Sequence, residues 1–189
     1  MNVGIDISDT ALRTARLTLR PWEKGDLDDL YEYARVDGVG QAAGWKPHSS
    51  RDESEKILDM FINGKNTFAM EFHGKVIGSL GIDEYNEEHF PEFGEKRCRE
   101  IGFAMSKDFW GRGLMPEAVN AVLRWLFTEV GLDVVFCGHF ISNVRSRRVQ
   151  EKCGFVHYAF NKFETRFGTV EDNDVSILTK ERWLGREVR

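Results

Sequence analysis

The stretch Phe109-Trp110-Gly111-Arg112-Gly113-Leu114-Met115 stands between a segment of strand character, 100–106, and the segment of clearest helical period in the chain, 116–130. Two glycines one residue apart let the backbone turn tightly and aim several N–H groups outward, and the helix that follows presents the positive end of its dipole. An anion such as a pyrophosphate can be held there by main chain, with Arg112 adding a charge-assisted contact. The segment is neither a GxxxxGK[ST] loop nor GxGxxG, so it does not announce a nucleotide site of either kind. A glycine turn that merely joins strand to helix reads the same way.

Working outward, Met115, Ala118, Val119, Val122, Leu126 and Val130 keep a 3.6-residue period, with Pro116 and Glu117 suited to a first turn and Gly131 to an end. An apolar, β-branched strand is expected over 134–140, a short basic helix over 143–152 closed by Gly154, and two further strands over 155–164 and 170–178. Upstream, 16–20 alternates like a half-buried strand until Pro21, a short helix fits 26–35, and a second amphipathic helix runs from about residue 52 to Asn63-Gly64. Strands over 67–72 and 75–85 flank His73-Gly74, a tight hairpin signal. The polar stretch 86–99 is long for a plain connection, and loops of that kind often hold substrates. This order predicts a single α/β domain over 13–189, a mixed sheet with helices on both faces, preceded by a flexible N-terminal arm over 1–12.

Composition narrows the function. The chain has 189 residues, 41% of them hydrophobic, and 26 basic against 31 acidic side chains give a formal net charge of −5. That supplies a sizeable core and argues against nucleic acid as partner, since phosphate binding needs a basic stripe. No apolar run approaches the roughly 20 residues of a membrane span, and the first residues lack a signal-peptide core. Three widely spaced cysteines, Cys98, Cys137 and Cys153, fit reduced thiols in the cytoplasm, and five scattered histidines form no metal-binding spacing, so no metal is expected.

Thirty residues beyond the glycine turn comes Asn143-Val144-Arg145-Ser146-Arg147-Arg148-Val149-Gln150-Glu151-Lys152-Cys153-Gly154-Phe155. Asparagine at a helix entrance is first of all a cap. The order of strand, glycine turn, long helix, strand and then Asn-x-x-Ser-x-x-x-x-Glu-Lys-x-Gly-Phe resembles the GNAT superfamily of N-acetyltransferases. It looks most like the branch containing the ribosomal-protein N-terminal acetyltransferases, from Arg16-Leu17-Thr18-Leu19-Arg20 to Asp174-Val175-Ser176-Ile177-Leu178. The resemblance implies a mostly antiparallel central sheet splayed to hold acetyl-CoA. Pantetheine would run antiparallel to 101–105 against Phe103, Ala104 and Met105, pyrophosphate would sit on the amides of Gly111, Arg112, Gly113, Leu114 and Met115, and Asn143 would bond a pantetheine amide. It also makes a homodimer a possible assembly. The chain departs from the superfamily's Gln/Arg-x-x-Gly-x-Gly/Ala at Trp110 and Met115, and Gln150 stands where many relatives carry the tyrosine that protonates the departing thiolate.

Moving an acetyl group from a thioester to an amine requires a neutral amine, a polarised carbonyl and a stabilised thiolate. Glu100 is the candidate base, or else a strand-end carboxylate paired with Arg97 or Arg99; Asp83 and Glu84 are the alternatives. A strand N–H at Phe103 or Ala104 suits the oxyanion. Ser146, one turn beyond Asn143, is the candidate acid. Arg145, Arg147, Arg148 and Lys152 read as a solvated basic face, part of which could reach phosphates, while Cys137 and His139 read as packing. The acceptor is expected to be an amine, either a protein N-terminus or a small molecule; Glu84, Glu87, Glu88, Glu92 and Glu95 read either as the charges that draw it or as solvated surface, and Trp45, Phe61, Phe90 and Phe93 either as its pocket or as core. The leading expectation is an N-acetyltransferase acting by direct transfer. A non-catalytic acyl-CoA-binding module and a generic phosphate- or nucleotide-binding α/β protein are the alternatives.

Overall fold

The computed structural model describes residues 1–187. Eight strands form one sheet: β1 (Leu12–Arg13), β2 (Thr18–Arg20), β3 (Thr67–Phe72), β4 (Lys75–Asp83), β5 (Cys98–Met105), β6 (Val134–Phe140), β7 (Val156–Glu164) and β8 (Val170–Thr179), in the spatial order β1-β2-β3-β4-β5-β6-β8-β7. Every neighbouring pair is antiparallel except β5 and β6. That one parallel pair is joined through a helix, as a parallel connection requires.

The helices are α1 (Leu27–Ala34), α2 (Arg51–Gly64), α3 (Leu114–Trp125), α4 (Val144–Cys153) and α5 (Lys180–Glu187). α1 and α2 bury Leu27, Leu30, Tyr33, Ala34 and Leu58 against Ala69 and Val76 of the sheet. On the other face α3 lays Leu114, Met115, Ala118, Val119, Val122 and Leu123 on Leu80, Ile82, Ile101 and Val135, in a cluster that also takes in Cys153 and Trp183. The two-sided architecture expected from the sequence is therefore present. β3 turns into β4 through His73 and Gly74, whose φ values of 52° and 78° are both left-handed, the requirement of a two-residue hairpin of this hand.

Three features differ from expectation. Residues 1–12 are not a loose arm: Val3 and Ile7 are buried, Asn2 makes a bridge to Cys98, and β1 pairs with β2. Their apolar residues are too few and too spaced to show a period, so nothing local betrayed the packing. The long helix starts two residues earlier than Pro116, and its last turn, Leu126–Val130, widens into a π-helix that keeps both Leu126 and Phe127 fully inside before Gly131 ends it. α5 was not anticipated, because its sequence is largely charged: Trp183 packs on Phe127 with ring centres 5.3 Å apart, and Arg182 and Arg186 bond the carbonyls of Gly154, Cys153 and Lys152.

What positions the site is the way β5 and β6 part. Their register runs only over Cys98, Arg99 and Glu100 against Val134, Val135 and Phe136. Beyond it β5 stays paired with β4 to Met105, and β6 stays paired with β8 to Phe140, so the sheet opens into a V between the two. Alternate residues of 101–105 then direct their N–H and C=O groups into the opening rather than to a neighbouring strand.

Candidate active site

A single cavity of about 1330 Å³ passes through the V, from the glycine turn and α4 at one end to α1, α2 and Trp45 at the other. Of the residues expected to touch the cofactor, Phe103, Ala104, Met105, Gly111, Gly113, Leu114, Met115 and Asn143 all line it.

At the glycine turn, Gly111 and Gly113 both take φ +75°, and Gly113 is the residue on which α3 begins. Pro116 has no N–H, so the free donors are the amides of 111–115. The turn is tied from outside: Arg16 donates to the Arg112 carbonyl at 2.9 Å while paired with Glu117 at 2.6 Å, and the Trp110 indole donates to the Met105 carbonyl at 2.8 Å. Arg112 corrects the sequence reading. Its guanidinium lies over Phe72 and Phe109, 5.1 and 5.2 Å from their ring centres, and its side chain does not line the cavity. Those rings offer a hydrophobic surface that holds the guanidinium by cation–π attraction. The cations that do line this end come from α4: Arg145, stacked 4.2 Å over Trp110, with Arg148 and Lys152.

At the apex, where pairing stops, stands Glu100. Its carboxylate lies beside Gly138 of β6, whose N–H favours the ionised form, and its register partner on β4 is Asp83. Burial and the neighbouring Asp83 charge push the Glu100 carboxyl up from 4.5 to about 7. Burial raises Asp83 as well, against hydrogen bonding from Asn66 and the charges of Arg166 and Arg99. Glu100 is not neutralised by either nearby arginine. Arg97 bonds the carbonyls of Gly131 and Val130, and Arg99 bonds the Val3 carbonyl at 2.5 Å and reaches Glu84 at 3.7 Å.

α4 borders the V opposite β5. Asn143 caps it, accepting the Ser146 N–H at 3.1 Å, and donates to the Ala42 carbonyl at 3.0 Å, so one N–H and one lone pair of its amide remain. Ser146 is half-buried on the cavity wall. Gln150 is only 2% exposed and bonds the Gly138 carbonyl at 3.1 Å, the His139 Nδ1 at 3.1 Å and the Ser146 hydroxyl at 3.4 Å. Cys137 and His139 are buried beside it, and burial lifts the Cys137 thiol well above its ordinary value, away from thiolate chemistry.

The other end of the cavity is walled by side chains from remote segments. Trp45 and Phe61 are there as expected, with Tyr33, His48, Met60, Phe163 and Arg166, which sequence reasoning had not gathered. Phe90 and Phe93 are elsewhere: they pack on Phe136 at 5.5 and 5.1 Å in a separate cluster under the 86–97 loop. Of the five loop glutamates only Glu84 lines the cavity; Glu87 bonds Asn2 and Glu92 bonds Tyr158. The Trp45 segment is held from two sides, by Asn143 on Ala42 and by the Arg166 N–H on the Gly44 carbonyl at 2.9 Å.

Residues 16–156 match the acetyltransferase (GNAT) domain family. The chain is 36% identical over 182 residues to the FsC-acetyl coenzyme A-N(2)-transacetylase of Aspergillus fumigatus, covering 92% of this chain and 77% of that one. Its fold resembles the crystal structure of spermidine N-acetyltransferase from Vibrio cholerae in complex with CoA and spermine, with a TM-score of 0.72, 24% identity and coverage of 90% and 99% of the two chains. It also resembles the ribosomal-protein-S5-alanine acetyltransferase of Vibrio fischeri, with a TM-score of 0.70, 19% identity and coverage of 93% and 99%.

Proposed function

The chain belongs to the GNAT acetyltransferase family, and from that premise we propose that it transfers the acetyl group of acetyl-CoA directly to a primary amine, with Glu100 as base and Ser146 as donor to the departing sulfur. The observation that carries this reading is the apex of the V. A carboxyl with no cationic partner among the described residues, raised to about 7, sits where the open edge of β5 meets the cavity.

The residues fit acetyl-CoA. The open main chain of 101–105 offers an extended amide chain the ladder partner it lacks, and the amides of 111–115, with Arg145, Arg148 and Lys152 beside them, suit phosphates. The acceptor enters from the Trp45 end, where Asp83 and Glu84 attract an ammonium group. Near neutral pH a useful fraction of Glu100 is ionised and accepts a proton from that ammonium, and a strand N–H of Phe103 or Ala104 receives the charge that develops on the acetyl oxygen. The nitrogen–carbon bond forms, the carbon–sulfur bond breaks with its electron pair going to sulfur, and the Ser146 hydroxyl donates to that sulfur. The acceptor is a small-molecule amine or a protein N-terminus. The mixed aromatic and acidic wall of Trp45, Phe61, Tyr33, Asp83 and Glu84 favours an amine borne on a partly apolar body.

Calorimetric titration with acetyl-CoA, against ATP and ADP, tests the donor site, and thiol release over a panel of primary amines tests turnover. Micromolar acetyl-CoA affinity without matching nucleotide affinity, together with amine-dependent thiol release, is the expected result. Binding without release from any amine would leave a non-catalytic module and overturn the enzyme reading of these residues.

A further inference from the structure

Both N–H groups and the oxygen of the Gln150 side-chain amide have partners, and those partners dictate its orientation. The Gly138 carbonyl only accepts, so the atom facing it is the Nε2 amide nitrogen, and the Oε1 oxygen therefore faces His139. An amide oxygen only accepts, so His139 carries its proton on Nδ1 and is held as that tautomer. The second Nε2 hydrogen is left for the Ser146 Oγ, 3.4 Å away. A serine hydroxyl has one hydrogen and two lone pairs. With one lone pair receiving Gln150, and no acceptor for the Oγ hydrogen among the described residues, that hydrogen is free to point into the cavity.

We infer that Gln150 is a positioning residue for acetyl transfer: by donating to Ser146 Oγ it turns the serine hydrogen toward the departing sulfur. It does not touch the reacting atoms itself, since both of its N–H groups and its oxygen are engaged. This inference rests on the role proposed above for Ser146. It also explains how a chain without a tyrosine at position 150 keeps a donor for the thiolate: the glutamine orders a hydroxyl one turn earlier on the same helix. The geometry is rigid because Gln150 is only 2% exposed and is anchored on the carbonyl of Gly138 in β6.

Two substitutions separate orientation from packing. Gln150→Glu keeps the length and still accepts from His139, but it turns the donor facing Ser146 into an acceptor that captures the serine hydrogen. Gln150→Met removes the contact without capturing anything, and as a neutral residue it leaves the charge around Glu100 unchanged. Expected is a kcat loss of about 30-fold for Ser146→Ala, a comparable loss for Gln150→Glu and a smaller one for Gln150→Met, with the acetyl-CoA Kd within about twofold throughout. In the Ser146→Ala background the Gln150 substitutions should cost no further kcat. A Ser146→Ala enzyme with undiminished kcat would remove the sulfur role of Ser146 itself. A Ser146→Ala loss with wild-type kcat in Gln150→Glu, or losses that multiply in the double variant, would overturn the positioning role while leaving that of Ser146 in place. Should Gln150→Glu fail to fold, Gln150→Met against Ser146→Ala decides the same question by the same non-additivity.

Discussion

The two ends of the cavity are built of different material. Around β5 and the glycine turn the site is main chain: the unpaired edge of 101–105, the amides of 111–115, and two left-handed glycines that make the turn possible. Around Trp45 it is side chain, brought together from α1, α2, the 41–45 segment and the tip between β7 and β8. A site made of backbone needs only the right local conformation, whereas one made of side chains needs distant segments to dock in register. The first is tolerant of substitution in kind and intolerant of changes in geometry; the second is the reverse.

The largest effect should come from breaking the backbone half. Gly113→Asp puts a carboxylate at the α3 N-terminus, where φ is +75°, and acetyl-CoA affinity should fall by more than about a hundredfold by calorimetry. Next is the apex shared by both halves. Glu100→Gln should lower kcat by about a hundredfold or more with acetyl-CoA affinity nearly intact, and the limb of kcat/KM that rises through pH 7 in the native enzyme should vanish. The same substitution carries a stability signature. Because folding raises this carboxyl from 4.5 to about 7, its contribution is favourable at low pH and is lost as the pH climbs through that window. The Tm of Glu100→Gln relative to the native protein should therefore be higher near pH 8 than near pH 5, by differential scanning fluorimetry. In the side-chain half, Trp45→Ala should raise the acceptor KM by about tenfold, worth about 1.4 kcal/mol, without moving the acetyl-CoA Kd. Smallest is Phe103→Ala: the position serves through its N–H, so acetyl-CoA affinity should change by less than about threefold, the scale of a lost packing contact rather than of a lost hydrogen bond.

The same division decides what could be read in advance. The glycine turn, β6 and the capped entrance of α4 carry their signals within a few residues, through turn chemistry, an apolar β-branched run and a cap, and lie close to where the sequence placed them, while α3 follows its period but starts two residues early. Glu100 was singled out because the sequence reading starts this strand at residue 100, whereas β5 begins at Cys98, and its isolation from Arg97 and Arg99 depends on where the N-terminal residues run, since Val3 takes Arg99. Arg112 was misread because no local pattern tells whether an arginine in a turn faces the ligand or two phenylalanines, one of them forty residues upstream. Phe90 and Phe93 were left between pocket and core for a like reason. An aromatic pair in a polar loop serves equally to line a pocket or to anchor the loop, and Phe136 settles which. Tyr33, His48 and Arg166 had no signal at all, because their proximity is a property of the assembled layers.

The open edge of β5 also has a consequence for descent. A binding surface written in peptide groups survives changes of side chain along 101–105, so long as none is proline and the buried Ile101 and Met105 stay apolar. Lineages that inherit it are free to rewrite the strand and keep the donor substrate while the Trp45 end is remodelled for a new acceptor. Such an architecture allows divergence in sequence with constancy of shape.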